Sequence, residues 1–497
     1  MIVFFYAKID LIALVASALS AVVAFVVTST MAGYPLGVHP ARRLLSSPKF
    51  SLASLLLQHA YDVSRNEPLS IHRGCAIDSN YRISGWYVSF LPRILVHHPR
   101  DIEFILSSDD FTKPSAINVL KPLLGEGLVT QLDEVMHAKH RRIASPAFGP
   151  SSLSRIANFT VRDHSIKLVD VISREIAKSG QQSIVAPLET FFTLTTLNII
   201  AEAAFTAQDD INNITDHIVY LMDNTPFSIL NFVPILRSIP HLNHFRQQKS
   251  LKALTKFVND LQQRKREEGP QSSRNLIDHL LFTGELSAEH IRDHSLTFIF
   301  AGHETTSNSL TWVTALLATH PQVEAKLFEE LSCLITMDTC PDVESIKQCS
   351  YLHNVIREGL RLYPTVPVIL REPKKDVVLP FSKAVVPKGM AMSISFWNLH
   401  RFEGTFGSDA DKFIPERWED PEVERKAVDF GFLPFSAGKR NCIGKDFALN
   451  EIFLLLAVVV RNFQLSAVEG EPWPRRKIVV TLKPSKPFKM RIERRVL

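Results

Sequence analysis

The amino-acid sequence reads as a mainly α-helical protein with a small β region, and three observations carry that reading. Long stretches are apolar at mixed spacings of three and four, the repeat of one helix face; β-branched, alternating stretches are short and scattered; and no period of about 20 to 50 residues recurs, which argues against a solenoid. The 497 residues are 45% hydrophobic and 22% charged, with 29 Pro and 19 Gly, so the chain can bury a large core and is neither disordered nor collagen-like. A net charge of +5, spread along the chain, is too weak a bias for nucleic-acid binding. Five cysteines, an odd number without a C-x-x-C pair, argue against a disulfide framework and a zinc finger and fit a reducing compartment.

Taken in order, the first element is a membrane anchor, residues 1–33. From Leu11 to Val27 only Ser17 and Ser20 are polar, and no charge follows until Arg42. A run of about 20 apolar residues suffices to cross a bilayer as a helix. Lys8 is offset by Asp10, whereas Arg42, Arg43 and Lys49 follow the run, which places the body in the cytosol. The alternative is a cleaved signal peptide, with Thr30-Met31-Ala32 as a small-x-small cleavage site. Pro35, Pro40 and Pro48 make residues 34–50 a stiff hinge. No linker cuts residues 51–497, which read as one catalytic domain.

Within that domain Tyr81 to His97 reads as strand. Helices are expected over Ser152 to Lys178, Ser250 to Glu268, His290 to Thr319, Pro321 to Leu334, Tyr351 to Leu362 and Phe447 to Phe463. Short β pieces are expected at Val377 to Leu379, Ala391 to Phe396 and Ile478 to Leu482. The uncharged run Asn224 to Leu236 holds Pro226 and Pro234, with Pro240 just beyond. It cannot form a spanning helix but can dip into a membrane surface.

The most informative stretch is Phe435-Ser-Ala-Gly438-Lys-Arg440-Asn-Cys442-Ile-Gly444, a lone cysteine between two glycines ahead of an apolar helix starting near Ile443. A helix start favours the thiolate, Lys439 and Arg440 add positive charge, and the glycines permit a close backbone path beside a flat ligand. A buried cysteine is by itself common, and Cys75, Cys333, Cys340 and Cys349 lack this setting. The ten-residue string resembles the haem-binding loop F-x-x-G-x-R-x-C-x-G of the cytochrome P450 superfamily, with every fixed position met. That resemblance implies a fold holding haem b between two helices, Cys442 as the axial thiolate, and Phe435 shielding the sulfur.

Two further motifs stand in the family's order. Glu358 and Arg361 are spaced i, i+3, as are Glu289/Arg292 and Glu422/Arg425, so spacing alone marks only a surface pair. Their place ahead of Arg417 and Cys442 implies, by resemblance, a buried network of Glu358, Arg361 and Arg417. Ala301-Gly302-His303-Glu304-Thr305-Thr306 puts a glycine and two threonines inside a long helix, a choice that helix propensity disfavours, although threonines can simply bond back to the i−4 carbonyl. The resemblance implies that Glu304 and Thr305 relay protons during dioxygen activation, with His303 a packing residue. Arg440, Arg371 and Arg141 match positions that contact the haem propionates, and His137 stands where the family usually has tryptophan.

The activity so implied is a monooxygenase that inserts one oxygen atom from O2 into a lipophilic small molecule. Likeness to fungal microsomal members adds secondary-metabolite biosynthesis, with the chain held by a single pass in the endoplasmic reticulum membrane. No G-x-G-x-x-G fingerprint follows a strand, so electrons would come from NADPH-cytochrome P450 reductase, with cytochrome b5 a further candidate partner. A basic docking patch of Lys139, Arg142, Lys439 and Lys445 would suit that flavoprotein. Two alternatives remain: a haem-thiolate isomerase or dehydratase that needs no reductase, and a non-catalytic haem sensor or carrier.

Overall fold

The computed structural model describes residues 79–495, apart from 89–90, 208–210, 212, 225–243, 271–274 and 338, together with Leu69, Arg73, Ala76 and Ile77. The expected anchor (1–33), the hinge (34–50) and the uncharged run beyond Asn224 lie outside the described residues. No helix among those described is long and apolar enough to cross a membrane.

Eleven helices are used below: α1 (Pro99–Ser107), α2 (Glu134–Ala144), α3 (Arg162–Lys178), α4 (Leu188–Phe205), α5 (Thr215–Asn224), α6 (His244–Glu268), α7 (Leu276–Phe282), α8 (Ala288–Thr319), α9 (Pro321–Ser332), α10 (Ser350–Leu362) and α11 (Lys445–Asn462). All six expected helices are present, with ends moved by a few residues. The one expected over Ser152 to Lys178 is interrupted, because a π turn at Ala157–Val161 separates a short helix, Pro150–Ile156, from α3. α1, α2, α4, α5 and α7 were not among the expected helices. α4 is the clearest case, since apolar residues surround it and leave no stripe to read.

The strands are β1 (Ile83–Val88), β2 (Leu91–Val96), β3 (Phe111–Thr112), β4 (Ser183–Ala186), β5 (Val368–Pro373), β6 (Val377–Val378), β7 (Val385–Val386), β8 (Met392–Ser395), β9 (Phe463–Ala467), β10 (Arg476–Ile478), β11 (Leu482–Pro484) and β12 (Met490–Arg494). They form a five-stranded sheet in the order β1-β2-β8-β5-β3, a three-stranded sheet β4-β12-β9, and the hairpins β6-β7 and β10-β11. The strand expected at Ile478 to Leu482 is instead the turn of the last hairpin, where Ile478 pairs with Leu482. Val479-Val480-Thr481 holds no turn marker, so the β-branched signal ran straight through it.

α8 sets the layout. Ser287 caps it by accepting from the His290 N–H at 3.2 Å, and its residues are buried on every side for most of its length. Such a helix carries hydroxyls safely only if each finds a partner. Ser295, Thr297, Thr311 and Thr314 donate to the carbonyls of Ile291, Asp293, Ser307 and Leu310, each at 2.8 Å. Helices α3, α4, α10 and α11 share with α8 one core cluster, and a second core lies against the five-stranded sheet. Glycines let the helices approach. A Cβ on Gly302 would come within 2.8 Å of Ile200 on α4, and one on Gly359 of α10 would collide with Val313 Cγ2. Gly302 is therefore explained by helix packing.

Gly359→Ala should lower stability by about 1–3 kcal/mol through overpacking against a stiff β-branched neighbour. In a thermal-unfolding double-mutant cycle, Val313→Ala should recover most of that loss; strictly additive losses would place the strain elsewhere.

Candidate active site

The cysteine loop is shaped by its own backbone. The Cys442 N–H donates to the Phe435 carbonyl at 3.0 Å and the Asn441 N–H to Gly438 at 3.1 Å, while Ser436 and Gly438 take φ of 60° and 72°. A Cβ at Gly438 would collide with the Leu106 carbonyl of α1, so glycine is required there. Gly444, the N-cap of α11, has φ −90° and an open Cβ position near Phe148. Protein packing thus requires a glycine at Gly438 and not at Gly444.

Cys442 is exposed by its own surface yet closely surrounded by protein atoms, which places it on an internal space. Burial pushes its thiol up, opposed by the Gly444 N–H and by Arg141. The charges expected to favour the thiolate are turned away. Lys439 pairs with Asp109 at 2.5 Å, and Arg440 donates to Glu134 and to the Gln131 carbonyl at 3.0 and 2.9 Å. A metal ion bonded to this sulfur would displace the proton, which would pass to solvent.

Beside the loop, cations outnumber anions. Arg141 donates both terminal nitrogens to Asn441, at 2.7 Å each, and so ties α2 to the residue before Cys442. Arg440, Arg371, Lys113 and His137 share one neighbourhood, with Glu134 as the carboxylate that Arg440 holds. Burial and then Arg440 bring Lys113 down to about 7, His137 to about 3 and Arg371 to about 10. Arg371 donates only to the carbonyl of its neighbour Leu370, at 2.8 Å. Buried positive charge in excess fits a ligand that brings carboxylates, as haem does with its two propionates.

On α8, Ala301 is accessible and Thr305 partly so, one turn apart in a helix otherwise buried on both flanks. The Thr305 hydroxyl donates to the Ala301 carbonyl at 2.9 Å. Glu304 does not face that way. Its carboxylate lies 3.4 Å from Lys483 Nζ on β11, so the expected acid and threonine stand on different faces, as residues about 100° apart on a helix must. His303 is fully buried, donates to the Ile299 carbonyl at 2.6 Å and is lowered to about 4 by burial, as suits a packing residue. Thr306 donates to Glu451 of α11 at 3.1 Å and joins the two helices; burial holds the Glu451 carboxyl well above the usual range.

The expected ion network is present. Glu358 accepts from Arg361 through both oxygens at 2.8 Å and from Arg417 at 2.9 Å, with Glu358 and Arg361 at zero exposure. Arg361 also donates to the carbonyls of His400, Ala410 and Lys412. The equally spaced Glu422/Arg425 pair is exposed, and Arg292 pairs with Asp293. The basic patch is weaker than its sequence suggested, because Lys139 and Arg142 both pair with Glu285 and Lys439 with Asp109. Lys113, Lys483 and Glu451 were missed: each is a lone residue with no spacing signal, and only the fold gives it neighbours. A groove of about 670 Å³ between α6 and the start of α8 is lined by Gln262, Arg266 and Arg292 and touches none of these groups.

Residues 53–492 match the family model for cytochrome P450. Cytochrome P450 4ae1 of Drosophila melanogaster is 32% identical over 424 residues, covering 80% of this chain and 84% of that protein. Cytochrome P450 4F4 of Rattus norvegicus is 29% identical over 439 residues, 82% of each chain. Protein LUTEIN DEFICIENT 5, chloroplastic, of Arabidopsis thaliana is 29% identical over 433 residues, 81% of this chain and 70% of that one.

Glu358→Gln should cost about 3–5 kcal/mol, because it leaves two buried guanidiniums short of a counter-charge. Glu422→Gln, at the exposed pair of the same spacing, should leave the denaturation midpoint unchanged. A small loss at Glu358 would mean that water reaches the network.

Proposed function

The chain belongs to the cytochrome P450 family and is a haem-thiolate monooxygenase, and we propose that Cys442 is its axial ligand and a lipophilic small molecule its substrate. The observation that carries the assignment is Cys442 itself, accessible but enclosed, at the head of α11 and beside an uncompensated set of cations. Haem, when bound, would supply the iron chemistry by which dioxygen is reductively split, one atom going to the substrate and the other to water at the expense of two electrons and two protons. The protein binds, orients and excludes water. Arg371, Arg440, Lys113 and His137 would receive the propionates, while Arg141 holds the loop through Asn441. Phe435, partly buried against the main core, would cover the sulfur.

The substrate reading is supported by the mostly apolar stretches Pro114 to Leu120, Phe298 to Thr305, Thr365 to Leu370 and Ile478 to Thr481, which by resemblance to the family would line the pocket. Ile117, Val119 and Val480 pack on the main core beside α8, whereas Val368 and Ile478 belong to a separate cluster with Trp312 and Trp397. Electrons come, in this reading, from NADPH-cytochrome P450 reductase, with cytochrome b5 as a further donor. Residues 1–33 would anchor the chain in the endoplasmic reticulum membrane with the body in the cytosol, residues 34–50 would be the hinge, and 51–497 the catalytic domain; the apolar, Pro-punctuated sequence supports this. A role in secondary-metabolite biosynthesis belongs to the same proposal.

Dithionite-reduced protein under carbon monoxide should show the red-shifted Soret band of thiolate ligation, and Cys442→Ala should lose it; a histidine-type spectrum in active wild-type protein overturns the assignment. Turnover with NADPH and reductase, against turnover with a hydroperoxide alone, separates monooxygenase from isomerase. Thr305→Ala should keep the thiolate band and divert NADPH electrons to hydrogen peroxide, because the threonine hydroxyl no longer holds a proton at the accessible face. Unchanged product per NADPH would remove Thr305 from proton supply.

A further inference from the structure

Three carboxylates from three helices converge on one lysine. Lys483 Nζ lies 3.4 Å from Glu304 Oε1 on α8 and 2.5 Å from Asp223 Oδ1 at the end of α5, and its field also reaches Glu189 at the start of α4. Thr481, in the hairpin turn before β11, accepts from Asn308 at 3.1 Å, and the field of the lysine also reaches His303. Depth differs among the acids. The Glu304 side chain is 8% exposed and that of Asp223 46%, so one end of the cluster is inside and the other is wet. Glu304 Oε2 and Glu189 Oε2 are buried without hydrogen-bond partners. One cation cannot neutralise three anions, and in a poorly solvated site the balance falls on the most buried acids. Burial accordingly raises Glu304 and Glu189, opposed by Lys483, while the pull of Glu304 and Asp223 outweighs burial and raises Lys483.

We propose that Lys483 is the positioning residue for proton supply: it holds Glu304 on the β11 side of α8 as a charged acceptor, in an acid cluster whose outer member, Asp223, meets solvent. This rests on the monooxygenase reading and deepens it. In the step implied, a solvent hydronium ion gives its proton to the free Oε2 of Glu304, neutralising the carboxylate and leaving water. The carboxyl then gives that proton up toward the accessible face of α8, where Ala301 and Thr305 lie, and returns to the anion. Lys483 keeps its own protons throughout, because an ammonium is far too weak an acid to pass one to a carboxylate. Its task is to keep Glu304 charged and in place, and Asp223 competes for it.

That competition makes two substitutions act in opposite directions. In the haem-loaded enzyme, Lys483→Met should keep the thiolate band but move the acid limb of product per NADPH upward by about one pH unit or more, a roughly tenfold fall in charged Glu304 on that limb. Lys483→Arg should restore the profile. Asp223→Asn, at a partly exposed site, should move the limb downward, since it frees the cation for Glu304. Thermal unfolding gives a readout independent of turnover. A buried acid whose folded pKa is raised stabilises below that pKa and loses the contribution as pH rises through it, so the deficit of Lys483→Met should grow between pH 5 and pH 8. Adding Glu304→Gln should remove most of that growth. A pH-independent deficit, or limbs that move together in Lys483→Met and Asp223→Asn, would overturn the proposal. Absence of the thiolate band or of NADPH-driven product in wild-type protein would instead overturn the reading beneath it.

Discussion

Glu358 sits at zero exposure between two guanidiniums, and the position of the cysteine loop depends on that contact. A lone buried carboxylate would cost several kcal/mol, as would either arginine alone, so the three residues are tolerable only together. Meeting the requirement fixes geometry far beyond the trio. Arg361 reaches from α10 to the carbonyls of His400, Ala410 and Lys412, and Arg417 reaches back to Phe406 and Asp409. The chain between β8 and the cysteine loop, which holds only short helical segments, is thereby gathered onto α10. His400 closes the connection, since its ring accepts from the Leu433 N–H at 2.9 Å, two residues before Phe435. An error in the network would be transmitted to the sulfur.

Legibility followed the range of the signal. The Phe435–Gly444 string was readable because all its chemistry lies in ten contiguous residues. The Glu358/Arg361 pair was readable only through its order relative to Cys442, since its spacing also occurs at the exposed pair Glu422/Arg425. α10 carried both stripe and boundary, whereas α4, apolar all round, offered periodicity nothing to detect. Glu304 shows the limit most directly. Adjacency to Thr305 suggested a shared task, but adjacency on a helix separates two side chains by about 100°, and which neighbour each meets is decided by β11, almost 180 positions away. Lys113 and Lys483 fail for the same reason: a single charged residue has no pattern, and its meaning comes from what tertiary packing sets beside it.

Buried charge in this protein therefore falls into two kinds. Around Glu358 it is matched, every donor has an acceptor, and the result is rigidity. Around Arg440 there is too much positive charge, and around Lys483 too much negative. Both lower the stability of the chain by itself, and local packing would have done better with apolar residues of similar size. Clusters with such an imbalance mark places where another species completes the balance, which is why they point to function when matched pairs do not. In the reading proposed above, the positive set would be completed by the carboxylates of a prosthetic group. The negative set takes only protons, singly and reversibly, and a cluster that can gain and lose a proton without a permanent partner is what a reaction consuming protons inside a dry protein requires.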